Sequence, residues 1–132
     1  MLHELYSHIV WTTRWRAPLI NAEAACFLAS VLPTIAAAER TTILEIGIVS
    51  THLHLLVRLH PTTSIPRLLQ RMKGGTAAST NQQRLTTLEL RWAKGYSIHS
   101  VGKRALERTA EYVRTQHLHH PHEAIRGSSS LK

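Results

Sequence analysis

Alternating apolar and polar residues predict four β-strands along the chain. They cover residues 5–12, 42–49, 52–60 and 96–101. In the first stretch Leu5, Ile9 and Trp11 share one face, because every second side chain of a strand points the same way. Ser50 and Thr51 alone separate the second stretch from the third, which indicates an antiparallel hairpin.

Three stretches of helical character lie between and after these strands, and they cover residues 22–39, 66–83 and 103–117. Asn21 is placed to cap the first helix, and Pro33 predicts a kink or break within it. Gly74 and Gly75 weaken the second helix. The order β-α-β-β-α-β-α is that of the split βαβ plan. We therefore expect an α+β fold: a ferredoxin-like (RRM-like) antiparallel sheet with helices on one face, plus a C-terminal helix that carries Tyr112.

Length and composition fit a single domain, which we assign to residues 1–124, followed by a flexible tail at residues 125–132. The longest apolar stretch is interrupted by Glu23 and Pro33 and is shorter than a membrane span, so no membrane partner is expected. The N-terminus lacks the features of a secretory signal, and Cys26 is the single cysteine. These features favour a reducing, cytoplasmic setting.

Positive charge is concentrated in the later part of the chain. Residues 1–57 carry a net charge of −1, whereas residues 58–132 carry +9. Such a balance favours a polyanionic partner, with binding that weakens as salt rises. All 8 acidic residues are glutamates, which excludes an active site built on aspartates.

The third predicted strand carries two histidines that can bind a metal. Its apolar residues, Leu53 among them, alternate with His52 and His54, so both histidines lie on the opposite face. Imidazoles at i and i+2 stand side by side and can converge on one ion. The alternative is a pair of ordinary surface histidines, which is the commoner meaning of an isolated His-x-His pattern.

A second feature in the last predicted helix favours the metal site. Tyr112 and Gln116 are four residues apart, so they lie on one helical face. Gln116 can supply a third, oxygen ligand, which places Tyr112 one helical turn from the ion. The alternative is an amphipathic helix whose tyrosine borders the core.

Five segments in order carry a family resemblance. They are Tyr6 to Arg16, His52-Leu53-His54, Lys73-Gly74, Trp92 to Gly102, and Tyr112 to Gln116 with His119 and His120 just beyond. Together they resemble the single-tyrosine HUH transposases of bacterial insertion sequences and their REP-associated relatives, over roughly residues 5–120. The sequence departs from the family at Thr51, where relatives often carry aspartate, and at residues 75–78, where relatives are richer in serine and arginine.

The resemblance implies a metal-dependent transposase that nicks and rejoins single-stranded DNA. His52, His54 and Gln116 would bind Mg²⁺ or Mn²⁺, and Tyr112 would attack the scissile phosphate to give a 5′-phosphotyrosine intermediate. The expected partner is single-stranded DNA with hairpin or palindromic ends. Eight basic residues are candidates for nucleic-acid contacts: Arg14, Arg16, Arg58, Arg67, Arg71, Lys73, Lys94 and Arg104.

The resemblance also implies a homodimer, with which an apolar edge at the first strand is compatible. Assembly of the active site in cis or in trans stays open at this point.

Three other functions compete with this interpretation. A non-enzymatic single-stranded nucleic-acid-binding module would use a similar sheet, without a metal or a nucleophile. A domesticated relative that processes palindromic repeats would have the same chemistry. A metal-storage protein is suggested by the 10 histidines, several of them near the end of the chain.

Overall fold

A computed structural model describes residues 5–125 and confirms the predicted α+β fold. The strands are β1 (Leu5–Thr12), β2 (Thr42–Ile48), β3 (His52–Leu59) and β4 (Ser97–Val101). The helices are α1 (Ala22–Ala38), α2 (Ile65–Gln82), α3 (Leu106–Arg114) and α4 (Gln116–His119). Short 3-10 turns occupy Arg14–Arg16, Lys103–Ala105 and Pro121–Glu123.

The four strands form one antiparallel sheet in the order β2-β3-β1-β4. The predicted hairpin joins β2 to β3, and the backbone N–H of Val49 closes it by donating to the carbonyl of His52 at 3.0 Å. Strand β1 lies between β3 and β4, so the expectation of an apolar edge at the first strand is wrong. The edges of the sheet are β2 and β4.

The core lies between one face of the sheet and the helices α1 and α2. Leu53, Leu55 and Val57 of β3 are fully buried there, against residues such as Leu28 of α1 and Leu68 of α2. Their burial confirms the alternation predicted for the third strand. Each fully buried leucine or valine stabilises the fold by about 1.5–3 kcal/mol, so this face supplies most of the driving force for folding.

Both early helices are more continuous than the sequence predicts. Asn21 caps α1 as expected by accepting from the backbone N–H of Ala24 at 2.8 Å, and the helix then runs through the exposed Pro33. Helix α2 likewise runs through its two glycines. A Cβ at Gly75 would lie 3.2 Å from Ile35, so the small residue allows α1 and α2 to pack closely.

The C-terminal segment covers the opposite face of the sheet, where α3 packs on β2 and β3. It ends in Ile125, which is 7% exposed and belongs to the core cluster, so the described fold reaches the first residue of the predicted tail. The remaining residues of that tail, 126–132, lie outside the described range. Within residues 5–125, no helix combines the length and the apolar character needed to cross a bilayer.

Candidate active site

Strand β3 places His52 and His54 on the face that looks away from the core, as predicted. Their side chains are nevertheless buried, with exposed fractions of 3% and 6%. The ring centres lie 5.0 Å apart. Two adjacent imidazoles held out of solvent are therefore the foundation of the site.

Gly47 brings the tyrosine helix down onto the sheet. It pairs with His54 across the β2–β3 ladder, and a Cβ built on it would overlap the carbonyl oxygen of Val113 in α3. Only glycine permits this approach of helix to strand. The result is that Tyr112 lies beside the histidines, with its ring centre 5.8 Å from that of His54.

The prediction of one continuous helix from residue 103 to 117 is wrong. After a 3-10 turn, α3 ends at Arg114, and Thr115 has non-helical angles (φ −108°, ψ 32°). The Thr115 hydroxyl donates to the carbonyl of Glu111 at 2.7 Å, a local bond that bends helices. The side-chain Nε2 of Gln116 donates to the Tyr112 carbonyl at 2.9 Å, the carbonyl that a continuous helix would pair with the Gln116 backbone.

Because the helix breaks here, the side chain of Gln116 points into the protein interior. Its side chain is 1% exposed, and its Oε1 is buried with no hydrogen-bond partner of good geometry among the described residues. The amide lies close enough to His52 to favour the charged imidazole. A buried carbonyl oxygen without a partner is costly, and it fits the oxygen ligand predicted for this residue.

His120 joins the pair of histidines, which the sequence did not predict. One ligand nitrogen each from His52, His54 and His120 lies within 4.8 Å of the others. A single cation with bonds of about 2 Å can bridge such atoms after small side-chain adjustments. In the sequence, His120 is one of two histidines just beyond the tyrosine helix, in a histidine-rich terminal stretch, and nothing there marks it as a ligand; the turn after α4 places it beside His52.

The Nδ1 atoms of both β3 histidines already have partners. Nδ1 of His54 lies 2.7 Å from Nε2 of His8, on strand β1. Nδ1 of His52 lies 3.0 Å from the Thr51 hydroxyl and 3.5 Å from a Glu123 carboxylate oxygen. Partners at one ring nitrogen fix the orientation of the ring and leave Nε2 for a metal.

Glu123 supplies the carboxylate that the sequence lacks at position 51. It comes from the last 3-10 turn, accepts a hydrogen bond from the Thr51 hydroxyl, and accepts another from Arg16 at 3.0 Å. Neither His8 nor Glu123 could be identified from the sequence. Both act across long sequence separations that only strand register and the C-terminal turn define.

Burial keeps these imidazoles neutral. Burial first, and then the neighbouring His8 and His52, lower the pKa of His54 to about 3. Burial also lowers the pKa of His52, although Glu123 opposes the change, and it lowers the pKa of His8 with help from His99. Neutral imidazole is the form that binds metal, so His52 and His54 are ready to bind an ion at neutral pH.

Tyr112 lies between solvent and the histidines, with 39% of its surface exposed. Its ring centre is 6.0 Å from His8 and 4.5 Å from His119. The phenol is therefore accessible to a large substrate while it remains in contact with the site. Tyr112 and the candidate metal ligands therefore lie together within one chain, and no residue of a second copy of the chain is needed to bring them together.

The eight basic candidates fall into different environments. Arg67 and Arg71 both pair with Glu39, at 3.2 and 2.9 Å. Lys73 donates to the carbonyls of Ala93 and Gly95, at 2.7 and 2.8 Å, and so holds their loop in place. Burial lowers the pKa of Lys73. Arg16 pairs with Glu123 beside the site, and Arg14, Arg58, Lys94 and Arg104 are exposed.

A groove of about 680 Å³ runs between α1, β2 and the α3–α4 junction. Gln116 and His117 line it, but Tyr112 and the clustered histidines, His52, His54 and His120, do not. Nucleic acids bind to open, charged surfaces rather than to enclosed apolar hollows. The chemistry therefore lies on the neighbouring face and not in this groove.

Comparison with known proteins shows the family to which the chain belongs. The family model described as "Transposase IS200 like" matches residues 1–116. The ISDra2 transposase TnpA of Deinococcus radiodurans is 24% identical over 124 residues, covering 88% of this chain and 86% of the relative. The transposase for insertion sequence element IS200 of Salmonella typhimurium is 24% identical over 115 residues, covering 83% of this chain and 74% of its own.

Two solved structures share the fold. A Deinococcus radiodurans R1 protein, assigned as a transposase, superposes with a TM-score of 0.69 at 20% identity, covering 86% of this chain and 91% of its own. A REP-associated tyrosine transposase bound to a REP hairpin superposes with a TM-score of 0.71 at 11% identity, covering 90% and 70%. The family model covers most of the chain and shows a transposase, a class whose members cleave DNA and transfer strands. The chain belongs to the IS200-like transposase family.

Proposed function

We propose that this protein is a metal-dependent transposase that nicks and rejoins single-stranded DNA through a covalent bond to Tyr112. The observation that carries the proposal is the position of the Tyr112 ring, 5.8 Å from His54 and directly beside the histidine cluster. A nucleophile next to a set of metal-binding candidates is the arrangement that phosphoryl transfer needs.

The proposed reaction conserves the phosphodiester energy. The Tyr112 oxygen forms a bond to the scissile phosphorus, the bond from phosphorus to the 3′ oxygen breaks, and the phenolic proton is released. His119 lies beside the ring, with ring centres 4.5 Å apart, and is the candidate for accepting that proton. Attack by a second 3′-OH on the 5′-phosphotyrosine restores the phenol and joins the strand without ATP.

The residues present fit a divalent cation, Mg²⁺ or Mn²⁺. His52 and His54 would hold it through Nε2, with the buried Oε1 of Gln116 as the oxygen ligand and His120 as an additional nitrogen ligand. When bound, such an ion withdraws charge from the phosphate oxygens. Thr51, Glu123 and His8 would fix the two β3 rings in the orientation for binding.

The proposed substrate is single-stranded DNA with hairpin or palindromic ends. The structurally similar REP-associated transposase is bound to a REP hairpin, and this chain carries a net charge of +9 over residues 58–132. A homodimer that acts on cytoplasmic DNA is part of the proposal. Its active sites would assemble in cis, because Tyr112 lies beside the histidines of its own chain.

The test is an SDS-stable adduct between the protein and labelled single-stranded DNA that carries the palindromes beside its own gene. Wild type should form the adduct with Mn²⁺ or Mg²⁺ and lose it with a chelator. Tyr112→Phe should form none, whereas Tyr96→Phe is a matched control because Tyr96 is 40% exposed and Tyr112 is 39%. His54→Ala should lose the adduct, and His60→Ala, which alters an exposed histidine next to the same strand, should keep it.

Each rival function predicts a different outcome. A non-enzymatic binding module would bind the DNA equally well as wild type and as Tyr112→Phe, with no adduct in either. A metal-storage protein would bind Zn²⁺ or Ni²⁺ without any effect of DNA. A domesticated repeat-processing relative would form the same adduct, and only an assay of mobility in cells separates it from an active element.

A further inference from the structure

Trp15 differs from the other tryptophans of the chain. Trp11 is 1% exposed and packs edge-to-face on Trp92 with ring centres 5.8 Å apart, and Trp92 donates from Nε1 to Thr76. Trp15 is 83% exposed. An indole presents about 150–250 Å² of surface and normally contributes to a core or an interface. The exposure of the Trp15 ring therefore indicates a binding surface.

The backbone actively holds Trp15 outward. Trp15 and Arg16 both have positive φ angles, 61° and 51°, in a region that bulky residues rarely adopt. The strain persists because the turn is anchored: the buried Thr13 hydroxyl donates to the Ala17 carbonyl at 2.6 Å, and Arg14 N–H donates to the Arg91 carbonyl at 2.8 Å. Backbone strain that the surrounding structure enforces is typical of sites that bind something.

The turn is joined directly to the candidate active site. Arg16, the residue after Trp15, pairs with Glu123 at 3.0 Å, and Glu123 in turn lies 3.5 Å from Nδ1 of His52. Thr13, at the base of the turn, donates from its backbone to the carbonyl of Thr51 at 2.8 Å. The indole is thus fixed at the margin of the site.

Charge identifies the kind of ligand. Arg14 and Arg16 precede and follow Trp15 in the chain, and the Arg14 guanidinium carbon lies over the ring, 5.2 Å from its centre. An exposed aromatic ring with an arginine beside it matches a nucleotide, whose base stacks while its phosphate pairs with the arginine. A base inside a duplex is covered on both faces by its neighbours, so only an unpaired base has a face to offer.

We propose that Trp15 is a stacking platform for one unpaired base of the DNA strand beside the cleaved phosphate, which makes it a determinant of single-strand selectivity. This inference rests on the proposed function. It adds to that function a residue outside the metal site and the nucleophile.

The test uses the fluorescence of the full-length protein, in which Trp11 and Trp92 are packed and Trp15 is exposed. Single-stranded DNA should quench wild-type emission, and the quenching should disappear in Trp15→Ala. The dissociation constant, measured separately by anisotropy of labelled DNA, should rise about ten- to hundredfold in Trp15→Ala and less in Trp15→Phe. Leu88→Ala, which alters an apolar residue that is 67% exposed, is the control and should bind as wild type does.

Removal of single bases locates the stacked nucleotide. One abasic position should weaken wild-type binding by the same factor as Trp15→Ala, and it should cause no further loss in that variant. Duplex DNA of the same sequence should bind wild type and Trp15→Ala equally.

Three results would overturn the proposal. The first is unchanged affinity of Trp15→Ala in a protein whose wild type forms the covalent adduct; this leaves the proposed function intact. The second is a Trp15 emission that acrylamide fails to quench before DNA is added, because a second copy of the chain covers the indole. The third is failure of wild type to bind single-stranded DNA at all, which removes the proposed function as well.

Discussion

Strand β3 is buried on both faces, and the two faces differ in chemistry. On one face Leu53 and Leu55 pack against α1 and α2 in a continuous apolar core. On the other, His52 and His54 are covered by α3 and the turn after α4, and their partners are polar. Burial is similar on both sides, since the histidines are only 3% and 6% exposed.

The difference shows that the two faces of β3 have different roles, one in stability and one in the candidate active site. The apolar face stabilises the fold, whereas the histidine face keeps polar groups out of water and leaves Oε1 of Gln116 without a well-aligned hydrogen-bond partner among residues 5–125, which costs stability. Unsatisfied buried groups that persist in a fold are typical of functional sites. Substitutions on the two faces should therefore have opposite patterns of effect on stability and on activity.

The largest expected effect on stability is on the apolar face. Leu55→Ala should lower the free energy of unfolding by about 2–5 kcal/mol, because it leaves a cavity in a fully buried position. Urea unfolding followed by circular dichroism measures this change. His54→Ala, one residue away on the other face, should cost much less, and an equal loss in both variants would contradict the division of tasks.

Gly47→Ala should separate the tyrosine helix from the sheet. A Cβ there overlaps the Val113 carbonyl oxygen, so α3 must shift, and a displacement of about 1 Å can lower a rate about a hundredfold. The rate of adduct formation measures the effect, with circular dichroism to confirm that the protein is folded. Gly74→Ala is the matched control, because a Cβ at Gly74 has nothing within 4 Å, and it should retain the wild-type rate.

His8→Phe should weaken metal binding without removing a metal ligand. The substitution leaves Nδ1 of His54 without its 2.7 Å partner, and loss of such an orienting partner typically costs about 10- to 100-fold in affinity. Calorimetric titration with Mn²⁺ measures the affinity, and His8→Gln, which can still accept a hydrogen bond, should recover part of it. Unchanged affinity in His8→Phe would show that His8 does not orient the ring.

Lowering the pH should reduce the free energy of unfolding through the histidine face of β3 and not through its apolar face. Burial lowers the pKa of His54 to about 3 in the folded state, against 6.5 for the unperturbed group, so the unfolded chain binds more protons between these values. The free energy of unfolding of metal-free protein should therefore be highest above pH 6.5 and fall progressively as the pH drops toward 3. The decline should be smaller in His54→Ala; the same decline in both proteins would contradict this assignment.

The sequence was sufficient for most of the elements and for the faces on which the candidate ligands lie, because both follow from local periodicity. Alternation along β3 separates the histidines from the leucines, and the i to i+4 spacing pairs Tyr112 with Gln116. The same spacing wrongly predicted that Tyr112 and Gln116 lie on one continuous helix. Gln116 reaches the site because the helix breaks at Thr115, and its side-chain amide then donates to the Tyr112 carbonyl in place of the backbone N–H.

Residues that depend on long-range pairing could not be predicted. His8 reaches His54 only because β1 pairs with β3 in a particular register, with Val10 opposite His54. Gly47 is recognisable only once α3 is seen to lie on β2. His120 and Glu123 reach His52 through a turn after α4, and no pattern in the sequence predicts its direction.

The central claim is that Tyr112 works with His52 and His54 of its own chain. It is tested most directly by co-expressing Tyr112→Phe and His54→Ala chains, one of them tagged to change its size, and assaying the purified mixture for the covalent DNA adduct. Our account predicts no adduct, because neither chain contains a complete site. An adduct on the His54→Ala chain would contradict it, since a tyrosine would then be acting with the histidines of a partner.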